Sequence, residues 1–251
     1  MEIKRITSAQ NEYIKLLSKL GSKKHRQETG LFLAEGEHLA QMVSASPFCV
    51  EKYIMTESYY EKCAQSFSEE IIIVPESIMS KISDAKTPQG IIAVVRLPDA
   101  TDTIKEGRYI YCDDLQDPGN IGTIIRTADS FSFDGVILSP MCADVYSPKV
   151  IRSSQGSVFN IKIICDKTFD FVKSTGFSVT STALYAESVE LKNMKVQKNH
   201  IFVIGNEGSG VHEEILKASD EIVYIPMTGK AESLNAGVAA SILMYEVASR
   251  E

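Results

Sequence analysis

Four consecutive apolar residues, Ile201–Ile204, lead directly into Gly205 and the polar loop that runs from Asn206 to Gly210. An apolar run without alternating polar residues is typical of a strand buried on both faces of a parallel sheet. In open α/β sheets, ligands bind beyond the carboxyl ends of the strands. Glycine lets the backbone approach a neighbour closely or take a positive φ. The segment 205–210, with three glycines, is therefore a candidate ligand loop.

The rest of the second half repeats this alternation of short apolar runs with helical patterns. The sequence predicts strands over residues 109–112, 135–139, 161–164, 177–181, 200–204 and 221–225, separated by helices that include 121–131, 148–155 and 233–249. This order predicts an α/β fold with a largely parallel, doubly wound sheet.

The first half predicts a smaller α/β layer domain that begins with a helix over 8–20, capped by Ser8. A polar segment, 22–30, follows that helix. The stretch 97–103 has few apolar residues and is predicted to be a linker. We therefore predict one domain over 1–97 and a second over 105–251.

Bulk features exclude several classes of protein. No apolar run approaches the roughly 18 residues of a membrane span, and the N-terminus lacks a signal-peptide core. The five cysteines are scattered without a CxxC pair, and the four histidines lack metal-ligand spacing. We expect reduced thiols, no metal site and a cytoplasmic protein.

The charge distribution bears on nucleic-acid binding. The net charge of −7 argues against a nucleic-acid partner. However, residues 1–30 hold seven basic and three acidic side chains, whereas residues 97–251 hold 14 basic and 21 acidic ones. The segment with Lys15, Lys23, Lys24 and Arg26 is either a local surface for a polyanion or an ordinary solvated helix face.

The first of three loops at predicted strand ends runs from Asp113 to Arg126. Pro118-Gly119 predicts a turn, and Asn120 is a candidate cap for the helix over 121–131. Arg126 is the sole basic residue between positions 109 and 141. It is either an ion-pair partner for a nearby aspartate or a phosphate ligand.

The second loop, 205–210, has the order G-x-x-G-x-G, the reverse of the dinucleotide fingerprint. The chain also lacks a P-loop, so nicotinamide and nucleoside-triphosphate enzymes are disfavoured. Taken alone, Glu207 is an ordinary loop carboxylate or a charge at a helix N-terminus.

The third loop runs from Ile225 to Asn235, with Ser233 as the predicted cap of the helix over 233–249. That helix is apolar nearly all round, which predicts burial on most sides and packing against a second subunit.

In this order, the three loops resemble the three motifs of the SpoU/TrmH-type RNA 2′-O-ribose methyltransferases of the SPOUT superfamily. The likeness covers residues 108–250. The first domain, with its segments 6–8 and 32–36, resembles the RNA substrate-binding domain often fused to these enzymes, which is similar to a ribosomal protein. The resemblance implies a trefoil-knotted methyltransferase domain that forms a homodimer through its C-terminal helix.

The resemblance also assigns roles to residues. It implies S-adenosylmethionine as the cofactor, held by Gly205, Asn206, Ile225, Met227 and Leu234. It implies that Arg126 acts in the chemistry, either as base or, as we prefer on grounds of its high pKa, as a phosphate and alkoxide ligand. Its companions in the site would be Asn120, Glu207, Ser233 and Asn235.

The implied reaction is methyl transfer to a ribose 2′-OH of RNA. The fused first domain favours 23S rRNA over tRNA. A non-catalytic RNA-binding or ribosome-assembly factor and a small-molecule methyltransferase stay as alternatives. The methylated nucleotide is not indicated by the sequence.

Overall fold

The computed structural model describes residues 3–63, 67, 69–100, 103–185 and 187–250. Contacts divide the chain into two compact units. Unit one comprises residues 1–99 and 146–159, and unit two comprises 100–145 and 160–251. Positions 101 and 102 of the predicted linker lie outside the described residues. The domain bounds 1–97 and 105–251 stay a prediction, while the contacts group residues 146–159 with unit one.

Unit one is built on a five-stranded mixed sheet. Its strands are β1 (Ile3–Arg5), β2 (Leu31–Glu35), β3 (Val50–Thr56), β4 (Glu70–Val74) and β5 (Ile91–Arg96). Their order is β1-β4-β3-β5-β2, and β5 runs antiparallel to both of its neighbours. The helices of this unit are α1 (Glu12–Leu17), α2 (Lys23–Thr29), α3 (Glu37–Ser44), α4 (Glu57–Cys63), α5 (Glu76–Ile82) and, later in the chain, α7 (Pro148–Ser153).

The predicted single helix over 8–20 is wrong in its bounds. Helix α1 is capped by Asn11, whose side chain accepts a hydrogen bond from the backbone of Tyr13. The polar segment after it forms α2, which ends at Gly30 with a φ of 68°. Glycine takes this left-handed conformation without steric cost. The basic N-terminal segment is therefore divided between two short helices.

Unit two is built on seven strands whose pairings are all parallel. The strands are β6 (Arg108–Cys112), β7 (Gly135–Leu138), β8 (Lys162–Ile164), β9 (Ser178–Thr182), β10 (Val189–Glu190), β11 (His200–Ile204) and β12 (Glu221–Tyr224). Their order is β10-β12-β9-β11-β6-β7-β8. The parallel α/β sheet predicted from the sequence is confirmed, and β10 is an additional short strand. Strand β11 is buried along its whole length between β6 and β9.

The helices of unit two are α6 (Pro118–Ser130), α8 (Phe169–Ser174), α9 (Glu213–Ala218) and α10 (Ala236–Ala248). Two predicted caps are wrong. Helix α6 is capped by Asp117, which accepts hydrogen bonds from the backbone of Gly119 and Asn120. Proline at the first helical position suits this earlier start. Helix α10 is capped by Asn235 and not by Ser233, since the Asn235 side chain accepts from the backbone of Val238.

Helix α10 packs against α6 but leaves one apolar side uncovered in the single chain. Val238, Ile242 and Tyr245 are 46%, 37% and 61% exposed. Their spacing of four and three residues places them on one face of the helix. We call these three residues the α10 face. Within the part of the chain that the structure describes, no helix has the length and apolar character needed to cross a bilayer.

Candidate functional site

A cavity of about 510 Å³ lies at the carboxyl ends of β9, β11 and β12, within the usual volume range of small-molecule sites. It is lined by the residues that end these strands, the loop after β11 and the segment that leads into α10: Thr182, Ala183, Leu184, Ile204, Gly205, Asn206, Glu207, Gly208, Ser209, Gly210, Val223, Tyr224, Ile225, Met227, Glu232, Ser233, Leu234, Asn235, Ala236 and Ala239. The lining includes all five predicted cofactor ligands and three predicted catalytic residues, Glu207, Ser233 and Asn235.

The loop after β11 is closed on itself. The backbone N–H of Asn206 donates to the carbonyl of Gly210 at 3.0 Å, and the reverse bond is 2.9 Å. The Asn206 side-chain oxygen accepts from the backbone of Gly208 and Ser209. A Cβ atom at Gly205 would lie 2.2 Å from the Gly210 carbonyl carbon and from the Val211 nitrogen. Gly205 is therefore required because two backbone segments of the loop touch there.

Glu207 is tied to the start of α6. Its carboxylate accepts hydrogen bonds from the backbone of Gln116 at 3.2 Å and of Asp117 at 3.1 Å, and from the Asn120 amide at 2.9 Å. Partial burial alone raises the pKa of Glu207, but the hydrogen bonds from Asn120 and the backbone outweigh it and hold that pKa below its ordinary value. Glu207 is thus a fixed, ionised wall of the cavity.

Asn120 and Asn235 both lie beside Gly237, in the first turn of α10. A Cβ atom at Gly237 would lie 3.3 Å from the side-chain oxygens of both asparagines. Asn120 is buried, and through Glu207 it joins the start of α6 to the loop after β11. Four predicted catalytic residues, Asn120, Glu207, Ser233 and Asn235, therefore belong to one region.

Arg126 lies on α6, further along the helix than Asn120. It is exposed on α6, does not line the cavity, and its guanidinium has no ion-pair partner among the residues that the structure describes. The buried Asp113 binds His212 instead of Arg126. The ion pair that the sequence allowed between Arg126 and an aspartate is therefore not present, and the cation is available to an external anion.

The predicted RNA-binding residues of unit one differ in exposure. Lys23 and Lys24 are exposed on α2, and Lys15 pairs with Glu12 at 2.9 Å. Arg26 is 3% exposed and donates to the Leu20 carbonyl at 2.6 Å. A buried guanidinium cannot reach an RNA phosphate, so the assignment of Arg26 to an RNA surface is corrected to a structural role.

Some residues of this region were missed by sequence reasoning. Thr182, Ala183 and Leu184 line the cavity because β9 lies beside β11 and β12. The predicted strand over 177–181 indicates that these three residues follow the carboxyl end of a strand. The sequence does not show, however, which strands lie beside it in the sheet. Asp113, Asp114 and His212 also cluster, with potential metal-ligand atoms within 4.8 Å of one another. Hydrogen bonding between His212 and Asp113 accounts for much of that proximity.

Comparison with known proteins gives matches over both halves of the chain. The model of the SpoU rRNA Methylase family matches residues 107–245, and that of the MRM3-like substrate binding domain matches residues 11–93. The 23S rRNA (guanosine(2553)-2′-O)-methyltransferase RlmP of Bacillus subtilis is 35% identical over 98% of this chain and 99% of its own.

Solved structures agree with these matches. The AdoMet-bound rRNA methyltransferase from Sinorhizobium meliloti has a TM-score of 0.88 and 32% identity, covering 99% of this chain and 98% of its own. The SpoU methyltransferase AviRb from Streptomyces viridochromogenes, in complex with AdoMet, has a TM-score of 0.87 and 25% identity. The match covers 96% of this chain and 98% of the AviRb chain.

Proposed function

Since the chain belongs to the SpoU rRNA methylase family, we propose that it transfers a methyl group from S-adenosylmethionine to a ribose 2′-OH of 23S rRNA. The observation that carries this proposal is the cavity of unit two. It gathers the predicted cofactor ligands of the loop 205–210 and of the segment 225–234, which are separated in sequence by α9 and β12.

The cavity lining fits S-adenosylmethionine chemically. Ile204, Val223 and Leu234 would offer apolar surface to an adenine ring, and the strand ends would offer backbone groups for hydrogen bonds. Two glutamates, Glu207 and Glu232, line the cavity, and among the described residues that line it there is no Lys or Arg. An acidic lining suits a ligand that carries a sulfonium and an ammonium group, and disfavours a pyrophosphate. We propose that Gly205, Asn206, Ile225, Met227 and Leu234 hold the cofactor.

When bound, S-adenosylmethionine would supply a methyl group on a positively charged sulfur: the S–CH3 bond breaks as the O–CH3 bond forms, the sulfur is left as a neutral thioether, and the 2′-OH proton passes to solvent. We propose that Asn120, Glu207, Ser233 and Asn235 position the ribose. Glu207 already accepts three hydrogen bonds and its pKa is lowered, so accepting a proton would weaken all three. Its proposed role is therefore orientation and not general base catalysis.

Arg126 is the proposed electrostatic partner of the reacting ribose. Arginine is effectively always protonated, so it suits the stabilisation of an oxyanion better than the removal of a proton. Its exposed guanidinium, without a protein carboxylate, is free to bind the phosphate beside the reacting 2′-OH.

We propose a homodimer in which a second copy covers the α10 face. Three exposed apolar side chains on one helical face are an uncommon surface for a monomer and a suitable one for self-association. The family resemblance further supports a trefoil knot in the C-terminal part of unit two. The rRNA substrate and five free cysteines support a cytoplasmic location.

The proposed RNA surface lies on unit one, where Lys23 and Lys24 are exposed on α2 and Lys15 lies on α1. The match of residues 11–93 to a substrate-binding domain supports this division of labour between a binding unit and a catalytic unit.

Methyl transfer from tritiated S-adenosylmethionine to unmodified 23S rRNA transcripts tests the function. We expect label in 23S rRNA, little in tRNA transcripts, and a labelled linkage that resists alkaline cleavage, since that cleavage needs a free 2′-OH. Label that remains alkali-sensitive would contradict ribose methylation. Equal labelling of tRNA would contradict the proposed substrate. Failure to bind S-adenosylmethionine in calorimetry would contradict the whole proposal.

A further inference from the structure

The loop after β11 is attached to the β6–α6 connection at three places. At its start, the Asn206 amide donates to the Asp114 carbonyl at 2.7 Å. In its middle, Glu207 accepts the hydrogen bonds described above. Beyond its end, Asp113 accepts two hydrogen bonds from His212, one from the backbone N–H and one from Nδ1, each at 2.9 Å.

The third attachment is unusual because its acceptor is a buried carboxylate. Asp113 is 3% exposed, whereas the side chain of His212 is 49% exposed. A buried carboxylate is costly unless it is hydrogen-bonded, so Asp113 strongly constrains the group that satisfies it. Since a carboxylate can only accept, Nδ1 of His212 carries the proton. The hydrogen bond and charge of Asp113 raise the pKa of His212, with a smaller contribution from Asp114 and Glu214.

His212 does not line the cavity, yet it lies two residues after Gly210, which does. Anchoring His212 therefore fixes the exit of the loop, just as Asn206 fixes its entry. We propose that His212 and Asp113 form an anchor pair that positions the loop 205–210 for cofactor binding. The inference rests on the proposed function, because it takes S-adenosylmethionine as the ligand of the cavity.

The pair offers a matched set of substitutions. His212→Ala removes the Nδ1 donor but keeps the backbone donor. His212→Asn keeps a side-chain donor, since the amide nitrogen of asparagine is bonded to Cγ just as Nδ1 of histidine is. Glu213→Ala, at an exposed neighbour paired with Lys217, controls for surface changes on α9. Because His212 is half-exposed, we expect all three variants to fold.

The experiment measures S-adenosylmethionine affinity by calorimetry, RNA affinity by filter binding and unfolding temperature for the full chain and each variant. A lost hydrogen bond to a buried charged group typically weakens the equilibrium it supports by about tenfold or more. We expect His212→Ala to lose about tenfold or more in cofactor affinity with unchanged RNA affinity. His212→Asn should stay within about threefold of the parent chain, as should Glu213→Ala.

Two outcomes would overturn the anchor pair while leaving the proposed function intact. One is His212→Ala binding the cofactor as the parent does. The other is His212→Asn binding as weakly as His212→Ala, which would make the ring and not the donor the relevant feature. If the parent chain itself fails to bind S-adenosylmethionine, the proposed function fails, and the anchor pair with it.

Discussion

Gly205→Ala is the sharpest test of why the loop after β11 needs its first glycine. The added Cβ atom would lie 2.2 Å from both the Gly210 carbonyl carbon and the Val211 nitrogen, where ordinary contact begins at 3.4 Å. The two backbone segments would have to separate by about 1.2 Å. Neither is the end of a flexible side chain, so the strain cannot be relieved by a rotamer change. The φ of Gly205 is not in the left-handed region, so the steric contact is the main expected cause of destabilisation.

Overpacking of this kind typically costs about 1–3 kcal/mol of folding stability. Separation of Gly205 from Gly210 also lengthens the paired hydrogen bonds between Asn206 and Gly210, which close the loop. We therefore expect Gly205→Ala to lower the free energy of unfolding by about 1–3 kcal/mol. We also expect a loss of about tenfold or more in S-adenosylmethionine affinity, because the weakened hydrogen bonds no longer hold the loop in its binding conformation. A tenfold loss corresponds to about 1.4 kcal/mol of binding free energy.

Substitutions at two other glycines distinguish strain in the loop backbone from crowding of the cavity. Gly229→Ala adds a methyl group into open space away from the cavity lining and should leave both quantities nearly unchanged. Gly208→Ala adds a methyl group that lines the cavity, but its nearest neighbour is the Asn206 oxygen at 3.5 Å. Urea unfolding and calorimetry measure the two effects. Gly205→Ala with the parent's stability and affinity would refute the argument. Loss of affinity in Gly208→Ala without loss of stability would point to crowding of the cavity.

Four further predictions follow from single features of the structure. Arg126→Ala should lower the rate of methyl transfer by about 100-fold or more with unchanged cofactor affinity, and full turnover would remove Arg126 from the mechanism. Reversing Lys23 and Lys24 to Glu should weaken RNA binding and reduce its salt dependence while cofactor binding persists; equal loss of both would indicate misfolding. Burial lowers the pKa of His200 to about 4. Between pH 6.5 and 4 the unfolded chain therefore binds more protons than the folded chain, and folding stability decreases as the pH is lowered. The expected loss is up to about 3 kcal/mol, and His200→Gln should flatten that slope in urea titrations across this range. Tyr245→Glu on the α10 face should convert a dimer into a monomer in light scattering, and an unchanged mass would contradict the proposed interface.

The strand and helix order of unit two could be predicted from the sequence because its signals are local. Apolar runs such as Ile201–Ile204 predict buried strands, and Gly205 after this run predicts where the chain leaves the sheet. The sequence also placed the loop 205–210 at a carboxyl edge, where the cavity lies. What it could not predict is which strand lies beside β11, and so Thr182 and Leu184 were missed.

Helix caps show a second limit. Ser233 and Asn235 are both good capping residues, as are Asp117 and Asn120. The choice between them depends on backbone φ and ψ and on what else the side chain can bind. Asn120 gives its amide to Glu207, 87 positions away, and Asp117 takes the cap. A contact over that sequence distance is invisible to a local pattern.

Arg26 shows a third limit, because the charge of a side chain does not reveal whether it points to solvent or to the interior. It lies in a basic segment that also holds Lys23 and Lys24, so sequence reasoning placed it on the surface. In the structure its guanidinium turns inward to the carbonyl of Leu20, at the end of the turn that follows α1. The long apolar stem of arginine makes such burial possible, and the Leu20 carbonyl accepts a hydrogen bond from the charged group.

The charge distribution of the chain constrains how RNA can reach the cavity. Residues 97–251 carry a net charge of −7, since they hold 14 basic and 21 acidic side chains. A phosphate backbone is repelled by such a surface unless local cations offset it. Arg126 is the sole basic residue between positions 109 and 141, and no described carboxylate neutralises it. One cation contributes only a small part of RNA affinity, yet in the role proposed for Arg126, beside the reacting ribose, we expect its contribution to the rate to be large. We therefore expect RNA affinity to come mainly from the exposed lysines of α2 in unit one, and Arg126, in its proposed role, to act on turnover.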